Sequence, residues 1–413
     1  LCGSQFNRQG LALLLDEVHQ GFVLPYQRNS QSGESTIPVL HAAYYLGIPF
    51  RRQGMGVYRL GWGSRAQLLD RSAVGSDSVI GAKLSQNKLM AARMLRDAGL
   101  PASEHLLVNS PEGAVKAAQT LGWPVVVKPL DRDRGEGVSV DVGDEQTLRE
   151  AYQLAAAFSP RILIEKQVKG VCHRLFVAKG QKILFVSKRL PKSVVGDGLH
   201  TVRQLIDLAN KKEQEKVPWQ RLKSFPDDEQ AVAYLASAGL SLDSVPEKGQ
   251  YAPLRRIQSG ADGGVVEDCS GRIHPENTDI ALRAAALFNL DSAGIDLISE
   301  DISKPWYETG AIINEVNFAS LLGAKGRIGA APKPYLTRFL ELIFQGNGRI
   351  PVEIFVGGDK ALDAARARQN MLVADGAHCY LSTHQVSCRP DGSELPLRGQ
   401  TLFGRVQQLM ANR

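Results

Sequence analysis

The chain has 413 residues, of which 43% are hydrophobic and 22% charged, and its formal net charge is +6. This length allows two or three domains with a substantial core, and the composition is that of an ordinary globular protein. No apolar run approaches the ~20 residues of a membrane span. LALLL at 11–15 is too short for a signal peptide. Neither a nucleic-acid motif nor a concentrated basic stripe is present, which disfavours a nucleic-acid-binding protein.

The modest positive charge has two interpretations, solubility or a site for anionic ligands such as phosphates and carboxylates. The five cysteines are scattered without a CxxC pair. This arrangement favours reduced thiols, and therefore a cytoplasmic location, over a disulfide framework. Because the first residue is Leu1 rather than Met, we expect further residues upstream.

Helices are predicted where apolar residues recur at helical spacing between capping and stop residues. They are expected at 35–47, 84–99, 110–122, near 145–158, near 202–211, near 227–239, at 277–290 and at 334–345. Strands are predicted at 56–64, on both sides of a glycine-containing loop within 123–142, at 161–168, 173–180, 181–190, 293–299, 311–318 and 349–358, with a strand or loop at 251–258. This mixture predicts an α+β or α/β chain in several lobes.

The stretch AGIDLISEDISKPWYETGAIINEVNF, residues 293–318, places carboxylates inside two apolar strands. Glu315 and Asn317 project to one face because side chains two apart on a strand do so. If the two strands pair antiparallel, Asp296 lies beside them. Two carboxylates and an amide oxygen suit Mg²⁺ bridged to phosphates, and the cation offsets the cost of burying the charges. The alternative is a solvated sheet face with a chance Asp and Glu.

A cationic loop follows the first strand of the 123–142 pair. Lys128 ends a run of three valines, and the loop after it carries Arg132, Arg134, Gly135 and Gly137. Glycines allow a backbone to approach a phosphate closely and to offer N–H donors. The loop is therefore predicted to close over ATP and exclude water. The alternative is a plain β-hairpin with a surface lysine.

The apolar strand ILIEK ends in Glu165, followed by Lys166 and Val168. Side chain and backbone here are predicted to meet an adenine edge; the alternative is an edge-strand carboxylate paired with a lysine. Lys88 and Arg255 are single cations that indicate little alone.

The histidines offer no metal-binding pattern. His173, His200 and His274 have no metal-ligand spacing and are interpreted as structural or surface residues.

The order of these features along the chain resembles that of ATP-grasp enzymes. A helix with a lysine comes first, and a strand with a lysine and a glycine-containing hairpin follows. A glutamate at a hinge, an arginine and the D…ExN pattern complete the order. Within that group the chain is similar to cyanophycin synthetase from about residue 35 to 325. The stretches that carry the similarity include QNKLMAARMLRDAGLP, WPVVVKPLDRDRGEGV, KRLPKSVVGDGLHTVRQLIDLAN, DGGVVEDCSGRIHPEN and AGIDLISEDISKP…INEVN.

The resemblance implies an ATP-grasp fold, with two α+β lobes and the nucleotide between them, plus a small C-terminal α/β remnant. The expected segments are an unassigned 1–34, an ATP-grasp region at 35–345 with a glycine-loop lid at about 100–190, and a degenerate Mur-ligase-like segment at 346–413.

The resemblance also implies a carboxylate–amine ligase that uses ATP and Mg²⁺ on an amino acid or short peptide, through an acyl phosphate. The implied catalytic residues are Lys128 and Arg255, and the implied metal ligands are Asp296, Glu315 and Asn317. The implied nucleotide contacts are Lys88, Lys128, Arg134, Gly135, Gly137, Glu165, Lys166, Val168 and His173. The alternative is a non-catalytic nucleotide-binding or scaffold protein derived from such a ligase. A homo-oligomer is a further expectation.

Three departures from the family are visible. Cys172 stands about where relatives often carry a carboxylate for the ribose, so ribose binding is expected to change. FASLLG, with Phe318 and Leu321, replaces the small loop after the metal-binding Asn, which leaves the acceptor open. GGDKAL, with Lys360, lacks the GKS/T end of a P-loop, so 349–413 is interpreted as a remnant without ATPase activity. A two-reaction polymerase is therefore disfavoured.

Overall fold

The computed structural model describes residues 8–25, 35–132, 136–218, 221, 223–255, 265–322, 331–344 and 346–412. Its helices are α1 (Arg8–Val18), continued by a π-helical turn at His19–Val23, α2 (Thr36–Tyr45), α3 (Val79–Ser85), α4 (Lys88–Asp97), α5 (Pro111–Leu121), α6 (Glu145–Ala156), α7 (Val202–Gln214), α8 (Glu229–Ser237), α9 (Pro275–Leu287), α10 (Trp306–Thr309), α11 (Pro334–Ile343), α12 (Asp359–Ala374) and α13 (Leu402–Asn412). Within these ranges no helix is both long and apolar enough to cross a bilayer.

The strands are β1 (Phe50–Gly54), β2 (Val57–Leu60), β3 (Gln67–Asp70), β4 (Ala73–Val74), β5 (His105–Val108), β6 (Val125–Pro129), β7 (Ser139–Val142), β8 (Ile162–Lys166), β9 (Val171–Ala178), β10 (Lys182–Leu190), β11 (Ser193–Val195), β12 (Tyr251–Pro253), β13 (Val265–Asp268), β14 (Ser292–Ser299), β15 (Ile312–Phe318), β16 (Leu381–Ser382) and β17 (Ser387–Cys388). The predicted α+β character is confirmed.

The chain forms two compact units that are discontinuous in sequence. The first contains 1–31 and 76–322, and the second contains 32–75 and 323–413. The residues predicted to bind nucleotide or metal that the structure describes all belong to the first unit. The domain division expected from the sequence, at 1–34, 35–345 and 346–413, follows the chain and not these compact units. It stays a proposal.

A five-stranded antiparallel sheet, in the order β13-β10-β9-β14-β15, is the centre of the first unit. Leu175, Ile295 and Val316 project from one face into a core shared with apolar residues of α3, α4 and α9. Because side chains alternate along a strand, the intervening residues of β9, β14 and β15 lie on the opposite face. That second face carries the candidate site.

A four-stranded antiparallel sheet in the order β5-β8-β6-β7 forms another layer of the first unit. Helices α5 and α6 pack on it through small and branched apolar residues. The expected lid at about 100–190 therefore divides in space: the sheet occupies 105–166, and 171–190 lies in the five-stranded sheet. A third, smaller core joins β11 and β12 to α7 and α8.

Most helix boundaries agree with the capping signals. Ser110 accepts a hydrogen bond from Gly113 N at the start of α5, as predicted. The single helix expected at 84–99 is wrong in one respect: Leu84 belongs to α3, and Asn87 caps a new helix by accepting from Met90 N. The Asn side chain satisfies an N-terminal N–H and so ends one helix and begins the next.

In the second unit, β1–β4 form a meander, and α2 contacts α11. The strand predicted at 349–358 is wrong, since 351–356 has no regular secondary structure. Its alternating Val352, Ile354 and Val356 are 52%, 82% and 91% exposed. An alternating pattern stabilises a strand only when a neighbouring strand and an apolar layer receive it.

Candidate functional site

Three charged residues form a row across adjacent strands of the five-stranded sheet. Asp296 on β14 is the register partner of Glu315 on β15 and, on its other side, of Arg174 on β9. The antiparallel pairing predicted for these two segments is confirmed, and it places Asp296 beside Glu315. Gly294 is the partner of Asn317, so the amide lies one step along the same face.

Arg174 holds the Asp296 carboxylate by two bonds. Its Nε donates to Oδ1 at 2.6 Å and its Nη2 donates to Oδ2 at 2.5 Å. The side chains are only 11% and 5% exposed. Such a bidentate charge-assisted pair fixes the plane of the carboxylate. An arginine inside the apolar run VCHRLFVA is a signal that could have indicated Arg174, but no local pattern shows that its strand lies beside Asp296.

Asn317 completes the group. Its Nδ2 lies 3.3 Å from Asp296 Oδ2 as a donor, which leaves Oδ1 as the atom able to bind a cation. Gly294 lies directly under neighbouring side chains of the site. A Cβ there would overlap the Ser320 side chain and lie 3.3 Å from Arg174 Cδ. Glycine is therefore required at 294 chiefly because the Ser320 side chain occupies this space, and Arg174 passes close by.

Glu315 shows the electrostatic signature of a cation site. Burial raises its pKa above the ordinary value and the neighbouring Asp296 charge adds to the rise, while Lys88, Arg174 and Lys128 oppose it. Its side chain makes no hydrogen bond or ion pair with any residue that the structure describes. A divalent cation would offset both the burial and the repulsion between carboxylates, so the donor set fits Mg²⁺. Among described residues no group of three His, Cys, Asp or Glu side chains forms a metal site.

Two lysines bring positive charge to the same region. Lys88, the first residue of α4, donates from Nζ to Arg132 O at 2.9 Å, which ties the helix to the start of the glycine loop. Lys128 extends from β6, and its charge acts on both Glu165 and Glu315. Both lysine charges thus act on Glu315, and the predicted contacts of Lys88 and Lys128 with the nucleotide stay a prediction.

Glu165 lies in a buried network. Lys128 forms an ion pair with its Oε2, His105 Nε2 lies 2.6 Å from the same oxygen, and Ser103 Oγ donates to Oε1 at 3.0 Å. Burial would raise the pKa of Glu165, but the Lys128 charge, followed by the His105 hydrogen bond, lowers it to about 2. Strand β8 lies between β5 and β6. The pairing with lysine foreseen as the alternative is therefore present, but on an internal strand.

The glycine loop is described in part. Gly137 has φ +67°, and a Cβ there would lie 2.8 Å from Phe158 Cδ2, so glycine is required. Arg134 and Gly135 lie outside the described residues. Lys166 donates from Nζ to Gly122 O at 3.1 Å, and Val168 follows it in a half-buried, irregular segment.

Three expected residues have other surroundings. Arg255 binds the Asp228 carboxylate through both terminal nitrogens, at 2.9 and 2.6 Å, beside a stretch outside the described residues. His173 is buried on the face of β9 opposite Arg174, and burial followed by the Lys188 charge lowers its pKa. The described structure brings neither residue to the carboxylates. Cys172 does share the Arg174 face, and burial raises its pKa.

The remaining histidines have structural surroundings. His200 Nδ1 lies 2.6 Å from an Asp197 carboxylate oxygen, and His274 caps α9.

Comparison with known proteins supports a nucleotide-binding fold. Residues 87–174 match the family described as carbamoyl-phosphate synthase L chain, ATP binding domain. Cyanophycin synthetase from Geminocystis herdmanii is 31% identical over 386 residues, which cover 90% of this chain and 43% of that protein. The chain thus spans less than half the length of such relatives.

Glutathione-forming proteins are similar over a shorter stretch. A glutathione biosynthesis bifunctional protein from Mannheimia succiniciproducens is 31% identical over 237 residues, or 55% of this chain and 31% of that protein. A crystal structure of a bifunctional glutathione synthetase from Pasteurella multocida superposes with a TM-score of 0.51 and 25% identity, covering 69% of this chain and 40% of that one. The chain therefore has the predicted ATP-grasp fold and is similar to the cyanophycin synthetases over nine-tenths of its length.

Proposed function

We propose that the chain is an ATP-dependent ligase that joins a carboxylate to an amine, with an amino acid or short peptide as substrate. The observation that carries this proposal is the direct pairing of Asp296 with Glu315, beside Asn317 and within electrostatic reach of Lys88 and Lys128. A pair of carboxylates next to two lysines is suited to a metal–triphosphate, whose charges have the complementary arrangement.

The chemistry explains why such a site is sufficient. A carboxylate oxygen is a poor leaving group, so the substrate carboxylate attacks the γ-phosphorus of ATP and ADP departs, which gives an acyl phosphate. The amine then attacks the acyl carbon, phosphate departs, and the nitrogen loses a proton to leave an amide. Positioning and charge stabilisation dominate such transfers, and no side-chain nucleophile is needed.

Each residue has a role in this scheme. Asp296, Glu315 and Asn317 would hold Mg²⁺, which when bound neutralises the β- and γ-phosphate oxygens. Lys88 and Lys128 stabilise negative charge on the phosphates, and Arg174 holds the Asp296 carboxylate in a fixed orientation. Arg255 takes part only if its guanidinium group leaves the Asp228 carboxylate and binds the substrate or the γ-phosphate instead.

The test is an incubation with ATP, Mg²⁺ and panels of amino acids and dipeptides. ADP and phosphate should form only when a carboxylate donor and an amine acceptor are both present, and mass spectrometry of the product should show loss of water between them. Phosphate release that is indifferent to both substrates would refute the ligase.

A second candidate, a nucleotide-binding scaffold without turnover, is favoured by one observation: Arg255 is engaged by Asp228. Calorimetry would support it if ATP bound with no amine-dependent ADP formation.

Other attributes rest on the same resemblance. A single ATP site agrees with the C-terminal GGDKAL segment, where Lys360 is exposed and lies in the first turn of α12 without a preceding strand. Homo-oligomerisation and a cytoplasmic location are proposals of the same standing.

A further inference from the structure

The network around Glu165 contains two residues that the proposed reaction does not use. His105 is the first residue of β5, Ser103 lies two residues before the strand, and both side chains reach the Glu165 carboxylate. His105 is the register partner of Glu165, and its side chain is 3% exposed. Because Glu165 is ionised, His105 Nε2 is the donor in this contact. Nδ1 is buried with no hydrogen-bond partner among the described residues. The imidazole is thus directed entirely at Glu165.

The partners of Glu165 compete for its oxygens. Ser103 donates to Oε1, whereas His105 and Lys128 both approach Oε2. An acceptor that already receives a strong bond binds a second donor less tightly, and a buried carboxylate with too few donors holds its remaining partner strongly. Ser103 and His105 therefore weaken the attachment of Lys128 to Glu165.

The Lys128 ammonium group has a second possible partner besides Glu165. Its charge also opposes the rise in the pKa of Glu315, so phosphates bound through a metal at Glu315 would be an alternative partner for Lys128. A lysine that serves a phosphate chain must leave its resting partner, and the cost of leaving is the cost of exposing Glu165 without a counter-charge. Two hydrogen-bond donors on Glu165 lower that cost.

Resting on the function proposed above, we infer that Ser103 and His105 are positioning residues that keep Lys128 exchangeable between Glu165 and the phosphate chain of ATP. They touch neither nucleotide nor substrate and act through the carboxylate alone. This assigns a nucleotide-affinity function to two residues outside the glycine loop and the metal ligands.

The experiment measures ATP affinity by calorimetry in the presence of Mg²⁺ for full-length His105→Leu, His105→Gln and Ser103→Ala. It repeats His105→Leu in a Lys128→Met background. His200→Leu is the matched control, because that histidine also lies 2.6 Å from a carboxylate oxygen but in an exposed loop. Thermal unfolding verifies that each variant is folded.

We expect His105→Leu to weaken ATP binding about tenfold and Ser103→Ala about threefold, the range for a lost hydrogen bond to a charged group and a weaker one. Gln, which restores an N–H donor, should recover most of the loss, and His200→Leu should bind as the parent. In the Lys128→Met background the His105 effect should fall below about twofold, since the two act through one carboxylate.

Additive effects of the His105 and Lys128 changes would overturn the inference, because a merely structural His105 would weaken binding regardless of Lys128. If His105→Leu does not fold, a Ser103→Ala protein that binds ATP as tightly as the parent overturns it in the same way, since that change removes a donor from Glu165. Failure of the parent protein to bind ATP would instead refute the proposed function itself.

Discussion

Replacing Glu315 by Gln should stabilise the metal-free protein and remove its response to Mg²⁺. Glu315 is a half-buried carboxylate with a raised pKa beside a second carboxylate, Asp296. Gln keeps the size and polarity of the side chain but carries no charge. The substitution therefore separates the demands of folding, which disfavour this charge, from those of metal binding, which require it.

The magnitude follows from the register. Directly paired residues on antiparallel strands have Cβ atoms about 5 Å apart. At an effective dielectric constant of about 20, two unit charges at that distance repel by ~3 kcal/mol. Lys88, Arg174 and Lys128 offset part of this repulsion. We expect Glu315→Gln to raise the free energy of unfolding by about 1–2 kcal/mol at pH 7.

The pH dependence has a definite sign. Since the folded state raises the pKa of Glu315, its favourable contribution is present below the unfolded value of 4.5 and is lost as pH rises through the folded value. The stability difference between variant and parent should thus be small below pH 4.5 and grow above it.

Urea unfolding at several pH values, with and without Mg²⁺, measures both effects. The exposed Glu308→Gln is the control and should change stability by less than about 0.5 kcal/mol. A Glu315→Gln protein that is less stable than the parent without metal, or equally stabilised by Mg²⁺, would refute the reasoning.

The other predictions concern residues around the carboxylates. Arg174→Met should destabilise the protein by about 3–5 kcal/mol because it leaves the buried Asp296 charge unpaired. The control, Arg272→Met at an exposed ion pair, should cost less than about 1 kcal/mol. Equal losses of stability in urea unfolding would contradict this prediction. Glu165→Gln should cost about 3 kcal/mol at pH 7, because the folded pKa is lowered to about 2. That cost should vanish as pH falls through 4.5 towards 2, and a pH-independent loss would be inconsistent with the shift. Gly294→Ala should displace the Ser320 side chain, crowd Arg174 and weaken Mg²⁺-dependent ATP binding; unchanged affinity in a calorimetric titration would show that the close packing at Gly294 is unimportant for the site.

Local signals were sufficient for much of the site. Alternation in the two strands placed Glu315 and Asn317 on one face, and antiparallel pairing brought Asp296 beside them. The capping residues marked the starts of several helices, among them Ser110 for α5. These features depend on side-chain periods of two or 3.6 residues and on short-range hydrogen bonds, which a sequence displays directly.

What the sequence did not indicate depends on long-range strand order. Arg174 joins the site because β9 pairs with β14, more than 100 residues away, and no local pattern specifies that neighbour or its register. The same limit explains the error at 351–356, where Ile354 and its alternating neighbours lack a partner strand. His105 is a third case, since its pairing with Glu165 spans 60 residues.

The most direct test of the central claim is a crystal structure with Mg²⁺ and a non-hydrolysable ATP analogue. The account predicts a metal ion about 2.0–2.1 Å from oxygens of Asp296, Glu315 and Asn317 and also bound to the phosphates, with Lys128 moved from Glu165 to the phosphate chain. A metal held by other residues, or a nucleotide bound away from Glu315, would contradict it.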